Sequence, residues 1–289
     1  MGFALADLGE ELVVKKTNEP GLVITKIDGF DHIPYEADKN SATIAVQSML
    51  DHLDLNQFGF EFEIYKSIYP GSGLGTSASS SAGAVYAVNE LIGRPLTPLE
   101  LVQFAMEGEK SISGKAHADN VAPTIMGKFV VIRSYNPLDI IYVPVPKNLN
   151  VSIVHPQVEI KTAEARKLLG DTIPISNAVI QWGNVAGLIS AMHSGDLELL
   201  GNSMRDVVAE PIRSKLIPRY NDAKKVALEC GAIGCSISGS GPSVFALSDS
   251  PQKAMNISQK MLEVYQKAGI DANAYHTTIA QQGVREVDL

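Results

Sequence analysis

The sequence predicts an α+β protein in which helices and short sheets form two layers. Residues 58–66 alternate apolar and polar side chains, as a half-buried strand does, and a glycine-rich turn then opens a helical run that ends at Leu91. In the second half, helical runs alternate with strand-like segments on either side of a Gly/Ser turn at residues 238–243. Together these patterns favour helices packed on sheets.

Two prolines indicate a division of the chain. Pro144 and Pro146 lie at the end of a strand-like run and just after it, so we expect a boundary near residue 150 and two domains, residues 1–150 and 151–289. Thr97 and Glu100 form a capping-box pattern that predicts a helix start. The other elements expected from the pattern are helices at residues 40–53, 97–109, 163–169, 177–192, 197–208, 223–230 and 252–268, and strands at residues 11–15, 22–27, 129–133, 140–145, 151–154, 233–237, 243–247 and 272–276.

The composition is that of a soluble globular protein. The chain has 289 residues and a net charge of −8, which does not suit binding to a nucleic-acid backbone. Its apolar runs fall short of the roughly 18 residues that a membrane span needs, and the start lacks a signal-peptide pattern. Cys230 and Cys235 form neither a Cys-x-x-Cys pair nor half of a zinc site. We therefore expect a cytoplasmic protein with no nucleic-acid and no membrane partner.

The segment from Pro70 to Ser80 is the strongest functional signal in the chain. It reads Pro-Gly-Ser-Gly-Leu-Gly-Thr-Ser-Ala-Ser-Ser and lies between the predicted strand and the predicted helix. Glycines at alternate positions permit positive φ and a close approach of the backbone to a ligand. Backbone N–H groups and a helix N-terminus together favour an anion, and the usual occupant is a phosphate.

Other types of loop fit this segment less well. A Walker loop needs a Gly-Lys-Ser/Thr ending, and no lysine lies between Lys66 and Lys110. Gly73, Gly75 and Ala78 match a loose dinucleotide fingerprint, but a second strand ending in Asp or Glu does not follow. A tight turn that binds no ligand remains an alternative.

The loop resembles the nucleotide loop of the GHMP small-molecule kinases. Their loop reads Pro-x-x-x-Gly-Leu-Gly-Ser-Ser-Ala, and the match runs from Pro70 to Ala78 with Thr76 in place of the first serine. The resemblance implies a GHMP fold, with an N-terminal nucleotide domain and a ferredoxin-like C-terminal domain. It also implies ATP binding, with Asn40 as a weaker candidate for the adenine edge. The loop residues that it assigns to ATP are Pro70, Gly71, Ser72, Gly73, Leu74, Gly75, Thr76, Ser77 and Ser79.

Glu109, at the end of the predicted helix 97–109, is a candidate magnesium ligand. Mg²⁺ prefers oxygen donors and takes few protein ligands, so one carboxylate and a hydroxyl such as that of Ser77 make a suitable pair. From spacing alone, a solvated surface acid explains Glu109 better. In the GHMP kinases a serine of the loop and a glutamate of a Gly-Glu step hold the metal. The resemblance therefore implies that Ser77 and Glu109 bind Mg²⁺ and act in catalysis.

Residues 114–123 form a second dense polar segment, Gly-Lys-Ala-His-Ala-Asp-Asn-Val-Ala-Pro. His117 and Asp119 also permit a metal site, although no further His or Cys cluster in the sequence supports one. The segment resembles the His-Ala-Asp-Asn-Val-Ala-Pro motif of the GHMP kinases that act on homoserine. This implies that His117 and Asn120 contact the substrate, and that Asp119 orients its hydroxyl or accepts its proton. Lys115 either approaches the phosphates or is a solvated loop cation.

Two arginines are candidates for holding a substrate carboxylate. An arginine fork offers a carboxylate two parallel charged hydrogen bonds. By residue type alone, Arg166 and Arg213 are more typical of surface salt bridges. Their segments, residues 162–166 and 210–213, resemble those of the same GHMP kinases. The resemblance therefore implies that Thr162, Arg166 and Arg213 bind the substrate.

Two further segments bear on the resemblance. The turn at residues 238–243 resembles the third GHMP motif, with a plain tight turn as the alternative. At the start, Met1 and Gly2 follow the point where the family carries a first strand and an Ala-Asn-x-x-x-Gly-Phe-Asp segment. We therefore expect a trimmed or misassigned start, or a truncated chain.

The resemblance extends over nearly the whole chain and implies one reaction. ATP would phosphorylate the hydroxyl of L-homoserine, a step of threonine biosynthesis, and the protein would be a homodimer. Another GHMP kinase, acting on mevalonate, a sugar or a shikimate-type alcohol, remains an alternative. So does a truncated nucleotide-binding protein that has no activity.

Overall fold

The chain divides into two units after Tyr142. The structure, a computed structural model, describes residues 1–158, 160 and 168–287. One unit comprises Met1–Pro70, Gly75–Tyr142 and the segment from Ala280 onward, and the other comprises Gly71–Leu74 and Val143–Ile279. The expected boundary near residue 150 lies close to this division. The sequence did not predict that a few residues of the glycine-rich loop, or the last segment, would fall in a different unit from their neighbours.

The first unit contains two three-stranded sheets and four helices within the described residues. One sheet has the order β2-β4-β3, with β2 antiparallel and β3 parallel to β4. The other has the order β1-β5-β6. The elements are β1 (Gly2–Phe3), β2 (Glu10–Thr17), β3 (Gly21–Asp28), α1 (Ser41–His52), β4 (Gly59–Lys66), α2 (Thr76–Leu91), α3 (Pro98–Ser113), α4 (Ala118–Met126), β5 (Phe129–Tyr135) and β6 (Leu138–Val143).

Alternation and capping explain most of these elements. In β4, Phe60, Phe62 and Ile64 point to one face and are fully buried in the core of the first unit. The predicted capping box is present at the start of α3, where the Thr97 side chain accepts from the Glu100 N–H and the Glu100 carboxylate accepts from the Thr97 N–H. These local signals fix where the strand and the helix lie along the chain.

The second unit is a four-stranded antiparallel sheet with helices. The strand order is β10-β7-β9-β8, which in chain order reads fourth, first, third, second. This order is the ferredoxin-like arrangement, so the expected architecture is confirmed. None of the described helices is both long and apolar enough to cross a membrane. The elements are β7 (Asn150–Pro156), α5 (Ile175–Ser194), α6 (Leu197–Ser203), α7 (Glu210–Arg213), α8 (Tyr220–Glu229), β8 (Gly234–Ile237), β9 (Val244–Ser248), α9 (Pro251–Lys267) and β10 (Ala272–Thr278).

Two predicted segments need correction. The predicted helix at residues 197–208 ends at Ser203, and the separate helix α7 begins only at Glu210. Between them, the Asp206 carboxylate accepts from the N–H groups of residues 208–210 and stabilises a turn. The predicted helix at residues 97–109 continues to Ser113, and the helix α4, which the pattern did not predict, begins at Ala118. The predicted helix at residues 163–169 falls largely outside the described residues.

The three helices α1, α2 and α3 meet at Gly108. A Cβ at this position would lie 2.4 Å from the Ser41 carbonyl oxygen and 2.8 Å from the Ser81 Cβ. The glycine therefore lets α3 approach α1 and α2 more closely than any side chain would allow. This close approach fixes the position of the next residue, Glu109.

We predict that Gly108→Ala destabilises the protein by about 1–3 kcal/mol, because the added methyl group overpacks the contact with α1 and α2. The matched control is Gly183→Ala in α5, where a Cβ would meet nothing within 4 Å. This control should be neutral or up to about 1 kcal/mol more stable, since alanine is the better helix residue. Urea unfolding compares the two, and equal changes in the free energy of unfolding would contradict the prediction.

Candidate active site

The glycine-rich turn leads directly into α2. Gly71, Gly73 and Gly75 all adopt positive φ, at 76°, 80° and 75°. Gly75 is the N-cap residue of α2 and supplies no side-chain hydrogen bond to the first turn. Because a helix N-terminus carries partial positive charge, the start of α2 is suited to an anion.

Part of the glycine-rich turn packs against residues 238–243, the segment that resembles the third GHMP motif. Both segments belong to the second unit. The Ser243 N–H donates to the Ser72 carbonyl oxygen at 3.1 Å, and the Ser238 hydroxyl donates to the Gly73 carbonyl oxygen at 2.8 Å. A Cβ at Gly73 would lie 2.5 Å from the Ser238 carbonyl oxygen and 2.8 Å from that of Gly241. The backbone of the loop is therefore held by backbone and hydroxyl groups in a space that only glycine fits.

Ser77 and Glu109 lie together in the first unit. Ser77 is in the first turn of α2, and the Glu109 side chain on α3 is buried, with the residue only 6% exposed. Burial raises the pKa of the Glu109 carboxyl, and a hydrogen bond with the Ser77 side chain opposes that rise. The nearby Asp119 charge raises the pKa further, whereas the Lys66 ammonium lowers it. Glu109 is therefore a buried acid of α3 that lies beside the start of α2. The interpretation of Glu109 as a solvated surface acid is wrong.

The polar segment around Asp119 forms the start of α4. His117 is the half-buried N-cap residue, and Asp119 lies in the first turn, where the helix dipole favours a carboxylate. The Asn120 side chain packs against the turn, since a Cβ at Gly75 would lie 3.3 Å from its Cβ and Cγ atoms. Lys115 is exposed on the connection between α3 and α4. The structure thus brings Ser77, Glu109, Asp119 and Asn120 to one end of α2.

The side chains at the start of α2 offer oxygen donors to a metal ion. In the described part of the chain, no three His, Cys, Asp or Glu side chains cluster as metal ligands, so His117 and Asp119 do not gain a third such partner there. A hydroxyl and a carboxylate, as at Ser77 and Glu109, are hard oxygen donors. This pair fits Mg²⁺, which takes most of its remaining coordination from phosphates and water.

Asn40 caps α1 with its side chain. Its amide oxygen accepts from the Ala42 N–H at 3.0 Å, and its amide nitrogen donates to the Pro34 carbonyl oxygen at 2.9 Å. The residue is only 3% exposed. These contacts explain Asn40 as a buried helix cap, and its role at the adenine edge stays a prediction.

The candidate carboxylate-binding residues lie in the second unit or outside the described residues. Arg213 ends α7, and its Nη1 donates to the Gly239 carbonyl oxygen at 2.8 Å. This bond connects Arg213 to the turn that packs against Ser72 and Gly73. Thr162 and Arg166 fall outside the described residues.

One buried network was missed by sequence reasoning. Lys66, at the end of β4, forms a 2.6 Å ion pair with Glu10, at the start of β2. Both side chains also contact Ser80 of α2. The partners lie far apart along the chain, and no local pattern pairs them. The only available signal was the position of Lys66 just before the glycine-rich turn.

Comparison with protein families agrees with this geometry. The model described as GHMP kinases N terminal domain matches residues 40–128, and GHMP kinases C terminal matches residues 188–267. The chain belongs to the GHMP kinase family. It is 42% identical over 300 residues to a homoserine kinase of Chlorobium phaeobacteroides (strain BS1), covering 99% of this chain and 93% of that protein. Within the family, the chain belongs to the homoserine kinases.

Solved structures also resemble this chain, one in both sequence and fold and another in fold. The crystal structure of homoserine kinase from Cytophaga hutchinsonii matches with a TM-score of 0.93 and 46% identity, over 97% of this chain and 89% of that one. The crystal structure of L. major mevalonate kinase in complex with R-mevalonate matches with a TM-score of 0.72 and 22% identity, over 93% and 86%. The second likeness concerns the fold alone. The expected α+β GHMP fold is therefore confirmed.

We predict that Gly73→Ala destabilises the protein more than Gly71→Ala does, by about 1–3 kcal/mol. Both substitutions place alanine at a positive φ, which costs about 1–2 kcal/mol by itself. Only at position 73 does the new Cβ also meet backbone oxygens, because nothing lies within 4 Å of a Cβ at position 71. Chemical unfolding of both variants separates the two costs, and indistinguishable stabilities would contradict the proposed packing.

Proposed function

We propose that this protein transfers the γ-phosphoryl group of ATP to the hydroxyl of L-homoserine, giving O-phospho-L-homoserine. The homoserine kinase relatives, which match over nearly the full chain, support this substrate and reaction. The observation that carries the proposal is the pairing of Ser77 with the buried Glu109 at the start of α2. A helix N-terminus with partial positive charge, next to a buried carboxyl group and a hydroxyl, suits the binding of a nucleoside triphosphate.

We assign the glycine-rich turn and the start of α2 to the ATP phosphates. The positive φ at Gly71, Gly73 and Gly75 is compatible with N–H groups that face an anion. Ser77 and Glu109 would hold Mg²⁺, which supplies neutralising charge to the triphosphate when it is bound. Because phosphoryl transfer has a loose transition state, the protein contributes mainly position and charge stabilisation.

We assign the substrate hydroxyl to Asp119. Its position in the first turn of α4, close enough to Glu109 to act on the pKa of that group, supports a role in orienting the hydroxyl or accepting its proton. His117 and Asn120, on either side of it, are proposed to contact the amino acid. Arg213 is proposed to bind the substrate carboxylate, and so are Thr162 and Arg166.

A coupled ADP-release assay tests the reaction. With ATP and Mg²⁺ present, ADP should form when L-homoserine is added and not when mevalonate, galactose or shikimate replaces it. Turnover of one of the other alcohols would instead favour the alternative of another GHMP kinase. ATP-dependent thermal stabilisation without turnover of any acceptor would favour the inactive nucleotide-binding protein.

We predict that Glu109→Gln lowers kcat by about 100-fold or more, since a preorganised charge contact in an active site is typically worth this much. The same change should not reduce the free energy of unfolding. Burial raises the pKa of Glu109, so the fold favours the neutral form of the side chain, and glutamine is neutral at every pH. The assay is the homoserine-dependent release of ADP, combined with urea unfolding.

The matched control for this prediction is Glu107→Gln. Glu107 lies on the same helix, and its side chain is 44% exposed and pairs with Lys110 at the surface. Its replacement should leave kcat within about twofold of the wild-type value, because exposed pairs contribute little. Near-normal turnover of Glu109→Gln would remove Glu109 from the mechanism.

We also propose a homodimer that works in the cytoplasm and in threonine biosynthesis. The resemblance to homoserine kinases supports these three assignments, and the matches do not test them directly. Light scattering coupled to size-exclusion chromatography measures the mass in solution. A single species at the 31.0 kDa of one chain would argue against the dimer.

A further inference from the structure

The buried network around Lys66 joins the first sheet to α2. In the ladder between β2 and β4, Glu10 lies directly opposite Lys66. The Lys66 Nζ donates to Glu10 Oε1 at 2.6 Å and to Ser80 Oγ at 2.7 Å, and the Ser80 hydroxyl donates to Glu10 Oε2 at 2.6 Å. Each of the three side chains therefore contacts the other two.

The network is almost completely removed from water. The Lys66 and Glu10 side chains are 5% and 1% exposed, and Ser80 is 2% exposed. Desolvation of two opposite charges offsets much of their attraction, so a buried ion pair is a weak source of stability. Its geometry is nevertheless well defined, because breaking it would leave a buried charge without its partner. The physical effect of such a network is therefore to fix position rather than to add stability.

The element whose position is fixed is the first turn of α2. Ser80 lies one turn after Thr76, and the Lys66 Nζ also approaches the Thr76 carbonyl oxygen at 3.4 Å. Two points on the same face of the helix are thus tied to the end of β4. Ser77 follows Thr76 directly and takes its orientation from this turn.

We propose that Glu10, Lys66 and Ser80 act as positioning residues that orient the first turn of α2 and thereby the Ser77 hydroxyl. The proposal rests on the proposed function, in which Ser77 binds the metal-bound nucleotide. A displacement of a reacting group by about 1 Å can cost up to about 100-fold in rate. Loosening the network should therefore reduce activity, because the Ser77 hydroxyl would lose its orientation.

A double-mutant cycle between Ser80→Ala and Ser77→Ala tests the proposal. In the wild-type background, Ser80→Ala should lower kcat by about tenfold or more. In the Ser77→Ala background, the same change should lower kcat by less than about twofold, because the group that the network positions is already absent. Equal losses in both backgrounds would overturn the proposal, because a general structural defect acts independently of Ser77.

Two further variants support the experiment: Ser258→Ala is its control, and Glu10→Gln can take the place of Ser80→Ala. Ser258→Ala removes a similarly buried helix serine, 3% exposed, whose hydroxyl donates to the Met255 carbonyl oxygen within α9. It should lower the free energy of unfolding while leaving kcat unchanged, which shows that the loss of a buried helix hydroxyl does not by itself reduce activity. If Ser80→Ala fails to fold, Glu10→Gln takes its place in the cycle, because it keeps the shape of the side chain and weakens its bond to Lys66.

Isothermal titration calorimetry measures the dissociation constant of MgATP for the wild-type protein and the three variants of the same cycle. This measurement needs no turnover, so it separates the two proposals. A wild-type protein without homoserine-dependent ADP release would contradict the proposed function. Additive effects on the binding of MgATP, whatever the outcome of that assay, would contradict the positioning role.

Discussion

The burial of the Glu109 carboxylate beside Ser77 is the constraint on which the candidate site depends. An ionisable group is excluded from water there because α3 approaches α1 and α2 at Gly108, where no side chain has room. Desolvation raises the pKa of Glu109, and the Ser77 side chain and the Lys66 charge act in the opposite direction. The fold therefore accepts an energetic cost at this position that a bound cation would relieve.

Backbone atoms make most of the contacts between loop residues 71–74 and the turn at residues 238–243, within the second unit. The loop residues Gly71–Leu74 contact the turn at residues 238–243 through carbonyl oxygens, N–H groups and one serine hydroxyl. Such contacts depend little on side-chain chemistry, apart from the need for glycine at position 73. On the same turn, the Arg213 guanidinium is held by the Gly239 carbonyl oxygen. Gly73 and Ser238 thus have a structural role that is independent of any ligand.

Local patterns predicted much of the fold, and they failed at two segments whose residues are atypical of the structure that they adopt. The alternation in β4 and the capping box at Thr97 are properties of neighbouring residues, and both were predicted. The helix α4 was missed, because Pro123 inside it and glycines around it are typical of a loop. The predicted helix at residues 197–208 was too long, because the Asp206 carboxylate accepts from nearby N–H groups and stabilises a turn instead of a continuing helix.

The sequence by itself determined the glycine-rich turn, the polar segment at His117–Asn120 and the family, because each depends on residues that are close along the chain. The tertiary structure alone decided that Glu109 is buried and not solvated, and that Glu10 and Lys66 meet at Ser80. These contacts join residues that are tens of positions apart. Whether a carboxylate is exposed or desolvated depends on which elements pack over it, and no local pattern of side chains encodes that packing.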